Sequence, residues 1–235
     1  MLLKRCTAEA LGTSFLLAGV VGSGIMAERL SAGNLAIALL ANTVATGAVL
    51  MCLIAALAPI SGAHFNPVVS FVEAIQDGLP WRELPAYWFA QVLGAVIGVA
   101  AADVMFGLPA FSFSHHVRGG PTLWFGEFVA TFGLVMVISG CTRKRSSFAA
   151  PAIAAYIVAA YWFTSSTSFA NPAVTIARSL SDTFAGIRPQ DIIPFILAQF
   201  IGASCAAFAF GWLAPRERQI CDASFAQNGR PDAAA

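Results

Sequence analysis

The sequence predicts an all-α membrane protein in which six transmembrane helices and two re-entrant half-helices form an inverted repeat. Three observations predict it. The 235 residues are 58% hydrophobic and only 11% charged, with a net charge of +1 and a mean hydropathy of +0.75. Six long apolar runs are separated by short polar links, and an Asn-Pro dipeptide recurs at equivalent places in two halves of the chain. This composition excludes disorder, a disulfide-built miniprotein and a nucleic-acid binder. A bilayer crossing takes about 20 apolar residues at 1.5 Å each, so six spans with short loops leave almost nothing of this length for an aqueous domain.

The apolar runs fall at 6–27, 35–58, 86–107, 124–142, 148–163 and 192–214. Lys4 and Arg5 open the first run in the manner of a signal peptide, but the run continues past Glu9 to Ala27, longer than a cleavable core, and predicts a retained span. Cys6, Cys52, Cys141, Cys205 and Cys221 form no CxxC pair and are read as small hydrophobes without redox or metal chemistry. Two further segments, 60–77 and 165–182, are too short and too polar to span, and carry HFNPVVS at 64–70 and FANPAVT at 169–175. Asn caps a helix start and Pro suits its first position, so each Asn-Pro starts a helix. The apolar stretch behind each lasts about eleven residues, or about 16 Å, half a hydrocarbon core.

Glu9 and Thr13 of the first span match Glu127 and Thr131 of the fourth as ExxxT. Asn66-Pro67 matches Asn171-Pro172, and AQVLGA at 90–95 matches AQFIGA at 198–203. The chain is therefore read as one channel domain, 1–215, made of repeats 1–120 and 121–215, with a disordered cytoplasmic tail at 216–235. Three spans per repeat invert the second copy relative to the first. Six spans put both termini on one side. That side holds nine Lys and Arg, including Lys4, Arg5 and the 143–145 run, against Arg29, Arg118, Arg178 and Arg188 on the other. The positive-inside rule places both termini in the cytoplasm.

Two half-helices meeting start to start bring their positive dipole ends and two Asn amides together inside the bilayer, where cations are repelled. The unwound stretches before them, 61–65 and 165–170, cannot leave backbone groups bare to lipid and are expected to line a wet path. Their carbonyl acceptors and the Asn donors suit a neutral hydroxylated solute.

The paired Asn-Pro boxes, the ExxxT of each half and the HFNP before the first half-helix resemble the aquaporin, or major intrinsic protein, family over residues 5–215. The resemblance implies an hourglass fold and a homotetramer with one pore per subunit, which passes water or small neutral solutes by diffusion. It implies no cofactor, no metal, no enzymatic activity and no nucleic-acid partner; the surroundings are the lipid bilayer of a bacterial inner membrane. The boxes comprise Asn66, Pro67, Val68 and Asn171, Pro172, Ala173, with Val68 standing where the family usually has Ala.

The residue after the second box is usually Arg in the family and here is Val174. Counting from the boxes assigns the other filter positions to Thr46, to Ala159 (or its neighbours Val158 and Ala160) and to Ser168. These small side chains predict a wide mouth without an Arg, in which the Thr46 and Ser168 hydroxyls still bond a solute. The stretch NPAVTIARSLSDTFAGI at 171–187 resembles the bacterial branch associated with arsenic resistance. Arsenous and antimonous acid, glycerol-type polyols and urea are the expected solutes, with water passing as well.

Glu9 and Glu127 are expected to hold the backbone of their own half-helix loops rather than to relay protons, and His64 to be a pore-adjacent hydrogen bonder. Arg178, one turn past Val174, is expected to satisfy carbonyls or pair with Asp182, in preference to replacing the missing filter charge. His115, His116 and Arg118 read as a solvated outer loop. Gly94, Gly98 and Gly202 permit close helix packing. The competing classes are a secondary transporter, which inverted repeats also fit, and a water-selective aquaporin. A membrane enzyme would need a catalytic constellation, and no HExxH, GxSxG or paired-carboxylate motif is present.

Overall fold

The computed structural model describes residues 1–143 and 148–214; the 216–235 tail and Lys144–Arg145 lie outside the described residues. The chain forms α1 (Leu2–Leu30), α2 (Leu35–Ser61), α3 (Pro67–Ile75), α4 (Leu84–Met105), α5 (Pro121–Arg143), α6 (Ala149–Phe163), α7 (Pro172–Arg178) and α8 (Ile192–Leu213). Five of these have the length and apolarity of membrane spans, and α6 is a shorter apolar helix of 15 residues. The two half-helices are α3 and α7, each begun by an Asn cap with Pro at the first turn.

The first span begins earlier than the apolar pattern predicts, at Leu2 instead of residue 6. Helix continues through the charged start because Arg5 is held by Glu83 at 2.6 Å and by the Tyr87 hydroxyl at 2.7 Å. Its charge therefore lies against a partner at the membrane edge rather than opposing the helix.

The duplication in sequence is a duplication in packing. Helix α1 packs along α4 and α5 along α8, while α2 crosses α6; both half-helices contact α4 and α8. Glycine permits the two long contacts. A Cβ on Gly94 would lie 2.2 Å from the Ala10 carbonyl oxygen, and one on Gly98 would lie 2.1 Å from that of Ser14. One on Gly202 would lie 2.4 Å from that of Phe128. No carbon sits that close to a backbone oxygen, so a side chain there forces the helices apart. Gly98→Val is expected to destabilise the fold by about 1–3 kcal/mol through overpacking. Thermal unfolding in detergent checks this; an unchanged midpoint would mean that α1 and α4 separate freely.

Candidate functional site

The boxes meet at the centre of the molecule through a reciprocal pair of hydrogen bonds. The Asn66 amide donates to the Ala170 carbonyl at 2.8 Å, and the Asn171 amide donates to the Phe65 carbonyl at 2.8 Å. Each Asn oxygen meanwhile caps its own half-helix: Asn66 accepts from the Val68 N–H at 3.1 Å, and Asn171 from those of Ala173 and Val174 at 2.9 and 3.3 Å. The accepting carbonyls belong to residues with positive φ, Phe65 at 49° and Ala170 at 46°, and Ala63 and Ser168 share that conformation. Left-handed backbone at non-glycine residues is strained and persists only where surroundings fix it.

The span carboxylates fix it. Glu9 accepts from the Ser61 hydroxyl (2.6 Å), the backbone N–H groups of His64 (3.0 Å) and Phe65 (2.7 Å), and the Gln91 amide (2.8 Å). Glu127 accepts from the N–H groups of Phe169 and Ala170, both at 2.8 Å, and from the Gln199 amide at 2.6 Å. Thr13 and Thr131 complete the ExxxT motifs by donating to the carbonyls of Glu9 and Glu127. The same glutamines reach the half-helices, Gln91 to Ser70 and Gln199 to Thr175. Gln91 and Gln199 escaped notice in the sequence although both stand second in the repeated AQ–GA motif, where the eye goes to glycine.

A cavity of 1610 Å³ runs past this centre. Of the box residues, only Asn66 and Asn171 line it; Pro67, Val68, Pro172 and Ala173 do not. Val68 packs instead with Val72, Val135, Ala203 and Ala206, which explains why a larger side chain than Ala fits there. On one side of the boxes the cavity is lined by Arg5, His64, Gln76 and Asp77. His64 is held by Ser70 at 3.0 Å from its Nδ1. On the other side Thr46, Ser168 and Val174 face it, together with Tyr161 and Arg178.

Two expectations about this outer part require correction. Ala159 is exposed on the outer face of α6 and does not line the cavity, and neither do Val158 and Ala160. The α6 residues that do are Ala149, Ile153, Ile157 and Tyr161, a stripe at every fourth position. Ala159 is two residues from Ile157, about 200° round the helix, so it points away. The second concerns Arg178, which satisfies a carbonyl as expected but does not pair with Asp182. Arg178 lies one turn beyond Val174 on the same face, and its side chain is 2% exposed. Its Nε donates to the Ala185 carbonyl, and its guanidinium carbon lies 3.5 Å from the centroid of the Phe169 ring.

Asp182 is not the partner of Arg178; it is bound by His115, from the backbone N–H at 2.8 Å and the ring Nδ1 at 3.0 Å. Those two hydrogen bonds hold the Asp182 carboxyl below its ordinary pKa. A lowered pKa in the folded chain stabilises at pH above the ordinary value, and the gain is lost as pH falls through the lowered one. The tie between the two outer loops is therefore expected to be intact at neutral pH and released only in strong acid. Hydrogen-exchange protection of the His115 amide should fall on acidification in the parent chain and be low at all pH in Asp182→Ala. Arg118 ties the same loops, donating to the carbonyls of Gly186 (2.7 Å) and Phe184 (3.4 Å), with its guanidinium 5.0 Å from the Phe169 ring.

The comparisons with known proteins agree with this geometry. The family model described as major intrinsic protein matches residues 1–164. Aquaglyceroporin AqpS of Rhizobium meliloti (strain 1021) is 52% identical over 219 residues, covering 93% of this chain and 94% of that protein. The chain belongs to the major intrinsic protein family. Within that family it is also similar to aquaporin NIP1-1 of Oryza sativa subsp. japonica, 32% identical over 219 residues, with 88% of this chain and 73% of that one covered. The X-ray structure of the aquaglyceroporin from Plasmodium falciparum superposes with a TM-score of 0.67 over 89% of this chain and 96% of that one. At 20% identity that match shows a shared fold. The protein is thus a multi-pass membrane member of a channel family.

Proposed function

We propose that the chain is a passive channel for small neutral solutes and water, with glycerol-type polyols, urea and the neutral hydroxides of trivalent arsenic and antimony as its solute class. The observation that carries this reading is the single cavity passing between Asn66 and Asn171 and continuing past the hydroxyls of Thr46 and Ser168, both buried and without a hydrogen-bond partner. A buried polar atom is nearly always partnered, so unpartnered hydroxyls on residues that line a cavity are suited to bond a solute that enters it. The similarity to aquaglyceroporin AqpS supports a polyol-sized passage over a water-selective one. Among the described residues, Thr46, Tyr161, Ser168 and Val174 form the outer constriction, which is narrower on the α6 side than an alanine would make it. The domain 1–215 works as a homotetramer of pores in the inner membrane, and the count of basic residues supports cytoplasmic termini.

The test is swelling of proteoliposomes holding the full chain, with glycerol, urea, arsenite and water compared in the same vesicles. Fluxes above those of empty vesicles, proportional to solute concentration and indifferent to imposed proton or sodium gradients, are expected. Saturating flux driven by such a gradient would instead identify a secondary transporter, and water flux without glycerol flux a water-selective pore.

A further inference from the structure

Three residues that line the outer part of the same cavity each carry a buried polar atom without a hydrogen-bond partner: Thr46 Oγ1, Ser168 Oγ and Arg178 Nη1. We propose that Arg178 is the cation of the outer constriction, supplied from one helical turn beyond the position next to the box. With Thr46 and Ser168 it forms a three-point hydrogen-bonding station for a compact solute that carries oxygen acceptors. This rests on the channel reading above and adds a charge to it.

The backbone explains how a residue so far along α7 serves the constriction. Arg178 starts about 6 Å farther from the boxes than Val174, but side chains on a helix lean toward its N-terminus. The Arg178 head accordingly lies against Phe169, which precedes Asn171 in the chain. Its stem is fixed on two sides, by the Phe169 ring and by the Ala185 carbonyl. Phe169 is itself pinned by its N–H to Glu127 and packs edge-on against Phe195 at 5.4 Å between centroids.

The charge is not cancelled locally. No carboxylate lies within ion-pair distance of Arg178 among the described residues, since Asp182 is taken by His115 and the Glu127 oxygens accept from Phe169, Ala170 and Gln199. A guanidinium in this place donates to an oxygen of a passing solute through Nη1 and raises the electrostatic barrier to cations. Val174, uncharged and one turn nearer the boxes, leaves room for the head to lean back. An alternative role is purely mechanical, in which Arg178 does no more than tie the 181–187 loop through Ala185.

The experiment uses the full chain in liposomes, with light scattering for glycerol and water and an entrapped pH dye for proton leak. Arg178→Met keeps the stem and removes the charge. Its proton leak is expected to rise about tenfold and its glycerol-to-water flux ratio to fall about threefold or more. The double variant V174R/R178M, which moves the guanidinium to the neighbouring turn, should return the leak to the parent level, a rescue that a loop-tying role cannot produce. A parental leak and ratio in Arg178→Met, or a leak that stays high in the double variant, would overturn the assignment. If Arg178→Met does not reconstitute as folded protein, Arg178→Lys decides. It keeps the charge and loses the planar fork, so a low leak with a reduced ratio supports the proposal and an unchanged ratio overturns it. A parent chain that passes neither glycerol nor water above empty vesicles defeats the channel reading itself, and this proposal with it.

Discussion

Glu127→Leu is expected to leave almost no folded protein, whereas Glu127→Gln should fold with reduced stability. The carboxylate is fully buried and accepts from the N–H groups of Phe169 and Ala170 and from Gln199. Leucine leaves three buried donors unpartnered at about 1–3 kcal/mol each, a total of the order of a domain's whole net stability. The damage also falls at a point of strain, because Ala170 holds a φ of 46° and offers its carbonyl to Asn66. Without the carboxylate, the left-handed turn loses the partners of its Phe169 and Ala170 N–H groups, and the bond between the two boxes is weakened with it. Glutamine can still accept through its amide oxygen but turns a second donor toward donors. Yield of monodisperse protein and the unfolding midpoint in detergent measure both variants. Were Glu127 a proton relay instead, Glu127→Leu would fold normally and lose only a pH-dependent flux. The Glu9 site, with four donors around one carboxylate, should behave in the same way.

The sequence made the fold legible because the bilayer imposes its own periodicity. Runs of apolar residues mark spans whatever packs against them, and Asn-Pro marks a helix start by local chemistry alone. The starts of α3 and α7 therefore fell where the boxes put them. Contacts made by rotation about a helix axis were not legible. One residue along a helix is about 100° around it, so counting from the boxes across the 164–170 loop reached the exposed Ala159 and missed the cavity-lining Tyr161. The reach of the Arg178 side chain was not legible for a related reason. Reading position by position, the slot after the second box holds Val174, and the slot is what composition reports. The structure reports where the side chain ends, and a six-atom stem leaning toward the helix start ends a turn away from its own Cα. The pairing of Asp182 with His115 was likewise invisible, because it joins two loops 67 residues apart through geometry that no local pattern encodes.

Val174→Arg in the otherwise unaltered chain is expected to close the channel to polyols while sparing much of its water flux. Val174 lines the cavity and sits one turn from Arg178 on the same face of α7. An introduced guanidinium would find no carboxylate at that level, and like charges at this spacing on a helix repel. It would therefore extend into the cavity toward Thr46 and Ser168, where it fills the cross-section and engages the two free hydroxyls. Water needs a narrower passage than glycerol and loses fewer hydrogen bonds on the way. Glycerol and urea fluxes should fall more than about tenfold, equivalent to about 1.4 kcal/mol on the barrier, and water flux by about threefold or less. Val174→Leu supplies bulk without charge and separates the two causes. If width alone matters, leucine should reproduce part of the solute loss in proportion to its volume; if the hydroxyls must stay free, leucine should have little effect. Swelling rates of the parent and both variants in matched vesicles give the ratio directly. A glycerol-to-water ratio in Val174→Arg equal to that of the parent would place the constriction elsewhere in the cavity and remove Val174 from it.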